Sequence, residues 1–117
     1  MTEFSKQICI ACDPNADPAS QSEINQFLES NNDWSLTVVD GAKKIGRSYI
    51  FKNFASALSF TNEIGEIAEV EGHHPLITTE WGKVKVEWWS HKIKNIHLND
   101  LILAARCDRR YQAVQIG

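Results

Sequence analysis

The chain has 117 residues and a mass of 13.2 kDa, the size of a single compact domain. Its formal net charge of -3 argues against duplex DNA or an anionic membrane as the main ligand, because both are bound through dense basic surfaces. No apolar run approaches the ~20 residues of a membrane-spanning helix, and the N-terminus lacks the charged start and long apolar segment of a secretory signal. We therefore expect a cytoplasmic protein that binds neither nucleic acid nor a membrane.

The three cysteines are an odd number, which argues against a disulfide framework. Cys9 and Cys12 have the C-x-x-C spacing of zinc and redox sites, but no strand–helix unit of thioredoxin type surrounds them. A zinc site would need two more ligands, for which only Cys107 and the histidines are available. We therefore interpret the pair as reduced thiols in an N-terminal lead-in and expect no metal there.

The first half of the chain predicts a short helix and a hairpin. Ser20 and Glu23 have the spacing of a capping box, so a helix is expected to run from there to about Ser30. The β-rich segments "WSLTVV" and "KIGRSYIF" then flank Asp40-Gly41, a dipeptide typical of tight hairpin turns.

The second half repeats this order with a longer helix. Asn53 is an expected N-cap and Gly72 an expected stop. The segments "LITTEW" and "KVKVEWWS" form a second hairpin around Gly82, and a last helix spans roughly Leu98 to Tyr111. The order α-β-β-α-β-β-α predicts an α+β fold, a four-stranded antiparallel sheet with three helices on one face. The predicted organisation is a lead-in at 1–19, one domain at 20–113 and a tail at 114–117.

Three of the four histidines lie in one stretch of the chain, around the second hairpin. His73 and His74 connect the second helix to the third strand, where Pro75 holds His74 in an extended conformation. Counting by twos along the fourth strand puts His91 on the charged face, away from the apolar side. Because chains leaving a helix end and a strand end can converge on one cleft, the spacing favours a histidine acid–base site.

Other interpretations of these residues remain open at this point. Surface histidines are common, and an isolated pair in a loop often has no function. A zinc triad of His73, His74 and His91 would require adjacent residues to aim both rings at one ion, and no ligating carboxylate is obvious. The tryptophans could stack on single-stranded nucleic acid, but such binding also needs a basic groove. We expect the tryptophans to divide between the core, Trp34 and Trp88, and the border of a pocket, Trp81 and Trp89.

The stretch "EGHHPLITTEWGKVKVEWWSHKIKNIHLND" resembles the pterin-4a-carbinolamine dehydratase family, known in animals also as a dimerisation cofactor of a homeodomain transcription factor. The family pattern has an acidic residue near a His-His-Pro triplet, a hairpin, a Thr/Ser-His pair and an Asp in the first turn of the last helix. The residues that match it are Glu71, His73, His74, Pro75, Ser90, His91 and Asp100. The similarity covers roughly Ser20 to Ala105, and "TEWGKV" and "WWSH" look most like the bacterial branch that accompanies phenylalanine hydroxylase.

The resemblance implies that the protein removes water from a 4a-hydroxytetrahydropterin to give quinonoid dihydropterin, without a metal or redox cofactor. It implies that His73, His74 and His91 surround the leaving hydroxyl, with His74 as the principal acid. The substrate-binding residues that it implies are Glu71, Pro75, Trp89, Ser90 and Asp100. Asp100 could orient a histidine or bond the pterin, or it could only place an acid at the positive end of the helix dipole.

The resemblance also implies partners and a second function. Members form dimers that extend the sheet across subunits and pair into tetramers, and the bacterial branch is functionally linked to phenylalanine hydroxylase. The alternative function is a non-catalytic protein-binding module that acts as a transcriptional cofactor, with vestigial histidines.

Two segments depart from the family pattern. Many members have Gly-Leu-Thr or Gly-Leu-Ser before the last helix, where this chain has Asn95-Ile96-His97. Asn tolerates a left-handed backbone nearly as Gly does, whereas His is a poorer helix cap than Ser or Thr. Leu76-Ile77 replace the Glu-Trp of some animal members, so pocket contacts there are not carried over. We expect His97 to have no part in the chemistry.

Overall fold

The structure is a computed structural model that describes residues 18–116, so Cys9 and Cys12 lie outside the described part of the chain. The elements follow the predicted order α-β-β-α-β-β-α, which confirms the fold class. Their bounds are α1 Gln21–Ser30, β1 Ser35–Val39, β2 Ala42–Ile50, α2 Phe54–Glu71, β3 Leu76–Glu80, β4 Lys83–Trp88 and α3 Leu98–Ile116. None of the helices within residues 18–116 combines the length and the apolar character needed to cross a bilayer.

The four strands form one antiparallel sheet in the order β1-β2-β4-β3. Along β4, Val84, Val86 and Trp88 are fully buried while Lys85 is exposed, as the alternation of residue types predicted. The buried face of the sheet packs against α2 and α3, and α1 packs against α3. Within residues 18–116, the helices form a single layer on this face of the sheet.

The predicted helix ends are also present. Both hydrogen bonds of the capping box form at α1, from Glu23 N to Ser20 Oγ at 3.1 Å and from Ser20 N to Glu23 Oε1 at 2.9 Å. Asn53 caps α2 by accepting from the backbone of the third helical residue. Gly72 ends α2 with a φ of 63°, a left-handed conformation that glycine adopts without steric cost. His73 and His74 follow directly after this turn.

A carboxylate lies among the core aromatic side chains. Asp108 of α3 is 8% exposed and accepts hydrogen bonds from Trp34 Nε1 at 2.8 Å and from Tyr49 Oη at 2.7 Å. Arg47 Nη1 also donates to it, at 2.7 Å. Because each donor comes from β2 or from the residue before β1, this carboxylate ties α3 to the half of the sheet away from the histidines. Both tryptophans predicted for the core, Trp34 and Trp88, are buried.

Candidate active site

His73 is held inside the protein by its position just after α2. Its backbone N–H donates to the carbonyl of Ala68 at 3.1 Å. This hydrogen bond satisfies a carbonyl of the last turn of α2, beyond the helix end at Gly72. The imidazole stacks on Trp88, with ring centroids 5.8 Å apart and an interplanar angle of 9°. Only 5% of His73 is exposed, so it belongs to the inner wall of the site rather than to a loop surface.

Asp100 is the hydrogen-bonding centre of this region. Its carboxylate is fully buried and accepts hydrogen bonds from three donors: His73 Nε2 at 2.5 Å, Ser90 Oγ at 2.9 Å and the backbone N–H of His97 at 2.8 Å. Three donors compensate the loss of water around a buried carboxylate. The bond to the carboxylate keeps a proton on Nε2 of His73, so Nδ1 is the ring nitrogen left to act on a substrate.

A tight loop between β4 and α3 fixes Ser90. The backbone of Ser90 pairs with that of Asn95, and Ser90 N donates to the Asn95 carbonyl at 2.9 Å. The residue with the left-handed backbone in this loop is Lys94, with a φ of 51°, rather than Asn95. Asn95 instead uses its side-chain oxygen to accept from the N–H of Ile96 at 2.7 Å. The loop therefore returns the chain so that Ser90 and Asp100 meet.

His74 points outward beside a carboxylate that the sequence analysis did not single out. Its Nε2 lies 3.0 Å from Glu69 Oε2, and the side chains are 61% and 78% exposed. Glu71, the acidic residue chosen from the family pattern, instead pairs with Arg106 at 3.2 Å. The left-handed turn at Gly72 reverses the chain over the last turn of α2, which brings His74 back to Glu69. The glycine stop was the feature of the sequence that could have identified this pair.

His91 lies outside the apolar face, as strand parity predicted. It is exposed, while Ser90 before it is 1% exposed. The ring stacks on Trp89, with centroids 4.3 Å apart and an interplanar angle of 26°. Lys44 Nζ lies 4.1 Å from the centroid of the same indole, a cation–π contact that was not predicted from the sequence. The stack limits the orientations available to the imidazole of His91.

These contacts bring most of the predicted residues into one continuous region. Asp100 joins His73 to Ser90, whose chain neighbour is His91, while His74 follows His73 in sequence. Within residues 18–116, no three His, Cys, Asp or Glu side chains are grouped as metal ligands would be. Buried and exposed imidazoles paired with carboxylates are an arrangement suited to moving protons near neutral pH.

Comparisons with known proteins agree on one family. Residues 17–110 match the family model described as pterin 4 alpha carbinolamine dehydratase. A protein of Syntrophotalea carbinolica, provisionally named a pterin-4-alpha-carbinolamine dehydratase, is 49% identical over 92% of this chain and 96% of its own length. A protein of Chlorobaculum tepidum with the same provisional name is 45% identical over 93% of this chain and 98% of its own length.

A solved structure gives the same result for the fold. It is the crystal structure of a transcriptional coactivator/pterin dehydratase from Brucella melitensis, which is 28% identical to this chain. The two superpose with a TM-score of 0.68 over 84% of this chain and 98% of the other.

Proposed function

This chain belongs to the pterin 4 alpha carbinolamine dehydratase family, and we propose that it removes water from a 4a-hydroxytetrahydropterin to give quinonoid dihydropterin. The observation that carries this proposal is the buried pair of His73 and Asp100, which is linked through Ser90 to the segment that presents His91. Two exposed imidazoles adjoin this pair in the chain: His74 follows His73, and His91 follows Ser90. We propose that residues 20–113 form the single dehydratase domain.

The reaction needs one proton delivered and one removed. The 4a-hydroxyl takes a proton and leaves as water, and a neighbouring ring nitrogen loses its proton, so the pterin gains a C=N bond without any redox change. We assign proton delivery to His74, whose exposed ring can reach a substrate and whose pairing with Glu69 orients it. His73 and His91 share the remaining proton transfer and orientation. Positioned acid–base groups of this kind each contribute about 10²–10⁴-fold in rate.

The other residues of the site hold these groups and the substrate. We propose that Asp100 and Ser90 fix the tautomer of His73, and that Pro75 and Trp89 shape the surface against which the pterin lies. We assign the acidic role beside the exposed histidine to Glu69, because the carboxylate of Glu71 is already paired with Arg106.

We further propose the setting in which this activity is used. A cytoplasmic enzyme of this kind would recycle the pterin cofactor of aromatic amino acid hydroxylation, with phenylalanine hydroxylase as its functional partner. It would work as a homodimer or homotetramer, because the sheet has two edge strands, β1 and β3, whose outer backbone groups have no partner within the described chain.

The second candidate function is that of a protein-binding module. It is favoured by one observation, the name of the Brucella melitensis relative, which includes transcriptional coactivator. The described surface also exposes large apolar side chains, among them Val70, 82% exposed, and Trp81, 71% exposed.

A dehydration assay separates the two functions. Freshly prepared carbinolamine is mixed with the protein, and the absorbance of the quinonoid product is followed against the uncatalysed rate. We expect acceleration in proportion to protein concentration, and its loss in the His74→Ala variant. Absence of any acceleration by folded wild-type protein would refute the dehydratase proposal and favour the binding module.

A further inference from the structure

His97 occupies the N-cap position of α3, directly before Leu98. Its ring nitrogen Nδ1 accepts a hydrogen bond from the backbone N–H of Asn99 at 3.1 Å. Its own backbone N–H donates to Asp100 Oδ2 at 2.8 Å, and its carbonyl accepts from Asp100 N at 2.9 Å. The residue is 7% exposed, so these bonds are made in a region with little competing water.

These contacts reproduce a capping box with unusual residues. In the usual form a Ser or Thr at the N-cap accepts from the backbone of the first turn, and an acid three residues later accepts from the N-cap N–H. Here the acceptor at the N-cap is an imidazole, and the acid is Asp100. The neutral ring must carry its proton on Nε2, because Nδ1 can accept only with its lone pair free.

The segment before the cap is fixed as well. Ile96 is fully buried, its N–H donates to Asn95 Oδ1, and its carbonyl accepts from Ala19 N at 2.7 Å. Leu101, five residues further on, is also fully buried in the core. Ile96 and Leu101 occupy the two positions of a hydrophobic staple, which sets the angle at which a chain enters a helix. His97 therefore has little freedom, and its ring faces the first turn of α3.

We propose that His97 is a positioning residue for the dehydration reaction, through the carboxylate of Asp100. The cap holds the first turn of α3, the first turn holds Asp100, and Asp100 keeps His73 in the tautomer with a proton on Nε2. Without the imidazole, its hydrogen bond with the N–H of Asn99 is lost and the first turn of α3 is held less firmly, so the carboxylate no longer meets His73 at a fixed angle. This inference rests on the proposed function. It assigns a role to His97, which we had expected from the sequence to have no part in the chemistry.

The test compares variants that remove or replace the acceptor. His97→Ala removes it, whereas His97→Asn supplies an amide oxygen at the place of Nδ1, and Asn is among the preferred N-cap residues. We expect His97→Ala to lose about 10- to 100-fold in kcat with little change in KM, as misplaced catalytic groups do. His97→Asn should restore most of that loss. Should the alanine variant not fold, His97→Phe, which keeps a ring but has no acceptor, takes its place.

A spectroscopic measurement makes the test independent of activity. Nitrogen NMR of labelled histidine reports the tautomer of His73, which should be fixed in the wild type and in His97→Asn but mixed in His97→Ala. Wild-type kcat and an unchanged His73 spectrum in folded His97→Ala would overturn the proposal, as would a folded His97→Asn as impaired as alanine. If the wild type proves inactive, the proposed function fails, and the spectra of His73 still decide whether His97 positions it.

Discussion

The imidazole of His73 and the carboxylate of Asp100 meet at 2.5 Å although 27 positions separate them in the chain. One residue follows the end of α2 and the other lies in the first turn of α3, so the whole β3–β4 hairpin lies between them in the chain. A second buried carboxylate, Asp108, lies two turns further along α3 and binds Trp34, Arg47 and Tyr49 instead. One helix thus carries two buried acids in different surroundings, which provides a matched pair for experiment.

The first prediction uses that pair. Asp100→Asn should lower kcat by about 10²–10⁴-fold, because an amide does not hold the proton of His73 on Nε2 as a carboxylate does. Asp108→Asn should leave kcat close to wild type while lowering the free energy of unfolding by about 1–3 kcal/mol, through poorer satisfaction of its buried donors. Steady-state kinetics and urea unfolding of both variants provide the measurement. Equal kcat losses in the two would mean that the effect of Asp100 is only on stability.

The second prediction concerns the two exposed histidines. His74→Ala should remove most of the catalysed rate with the fold intact, because its side chain is 61% exposed and contributes little to the core. His91→Ala should also lower the catalysed rate. In the double variant, the increase in activation free energy should be smaller than the sum of the increases in the two single variants, as expected for groups that act as a unit. Circular dichroism checks the fold in each case. Near-wild-type dehydration by folded His74→Ala would contradict the assignment of the principal acid.

The third prediction tests the carboxylate beside His74. Glu69→Gln should lower kcat several-fold, because a neutral amide holds the imidazole of His74 by a weaker hydrogen bond than a carboxylate does and so orients it less firmly. Glu66→Gln is the matched control, since Glu66 is an exposed acid one turn earlier on the same helix. Kinetic comparison of the two variants at one pH gives the answer. A similar small loss in both would indicate that general negative charge near the site, and not the pairing with His74, matters.

Local chemistry explains why much of the fold could be predicted from the sequence. The capping box of Ser20 and Glu23, the stop at Gly72 and the turn at Gly82 each depend on a few neighbouring residues, and all three are present. The outward direction of His91 followed from the two-residue period of the strand. These features specify elements and faces without knowledge of what packs against them.

The contacts of the candidate site were harder to predict because they depend on tertiary packing. The burial of His73 and its partner Asp100 requires two helix ends to meet, which no spacing rule gives. Glu69 could replace Glu71 beside the histidines only because of the direction in which the chain leaves Gly72. His97 had been expected to take no part in the chemistry, yet it is a buried cap, so His97→Ala is unsuitable as a neutral control.

The fourth prediction concerns assembly. Edge strands β1 and β3 carry exposed apolar side chains, including Val38, 62% exposed, and Leu76, 46% exposed, and unpaired strand edges favour association. Light scattering at micromolar concentration should therefore give a mass that is a multiple of 13.2 kDa. Val38→Lys and Thr78→Lys place a charge on one edge each, and the variant that lowers the mass identifies the interface. A 13.2 kDa particle in the wild type would end the oligomer proposal.

The fifth prediction concerns stability at alkaline pH, which depends on the buried thiol of Cys107 and the buried phenol of Tyr49. Burial raises the pKa of the Cys107 thiol and of the Tyr49 phenol well above their ordinary values. The folded chain keeps both protons at pH values where the unfolded chain loses them, at about 8.5 for Cys and 10 for Tyr. Stability should therefore be fully present below about pH 8.5 and fall as the pH rises, by at most about 1.4 kcal/mol per pH unit for each group.

Cys107→Ala isolates the contribution of the thiol. The variant lacks the buried acid, so its free energy of unfolding should change less between about pH 8.5 and 10 than that of the wild type, although a cavity makes it less stable throughout. Above about pH 10 the loss of stability should steepen in both proteins, because both keep Tyr49, and the wild type should still lose more per pH unit, because its folded state also keeps the Cys107 proton. Urea unfolding at a series of pH values measures the two slopes, and Cys9 and Cys12, present in both proteins, cancel in the comparison. Identical slopes below pH 10 would show that Cys107 is not held protonated by its burial.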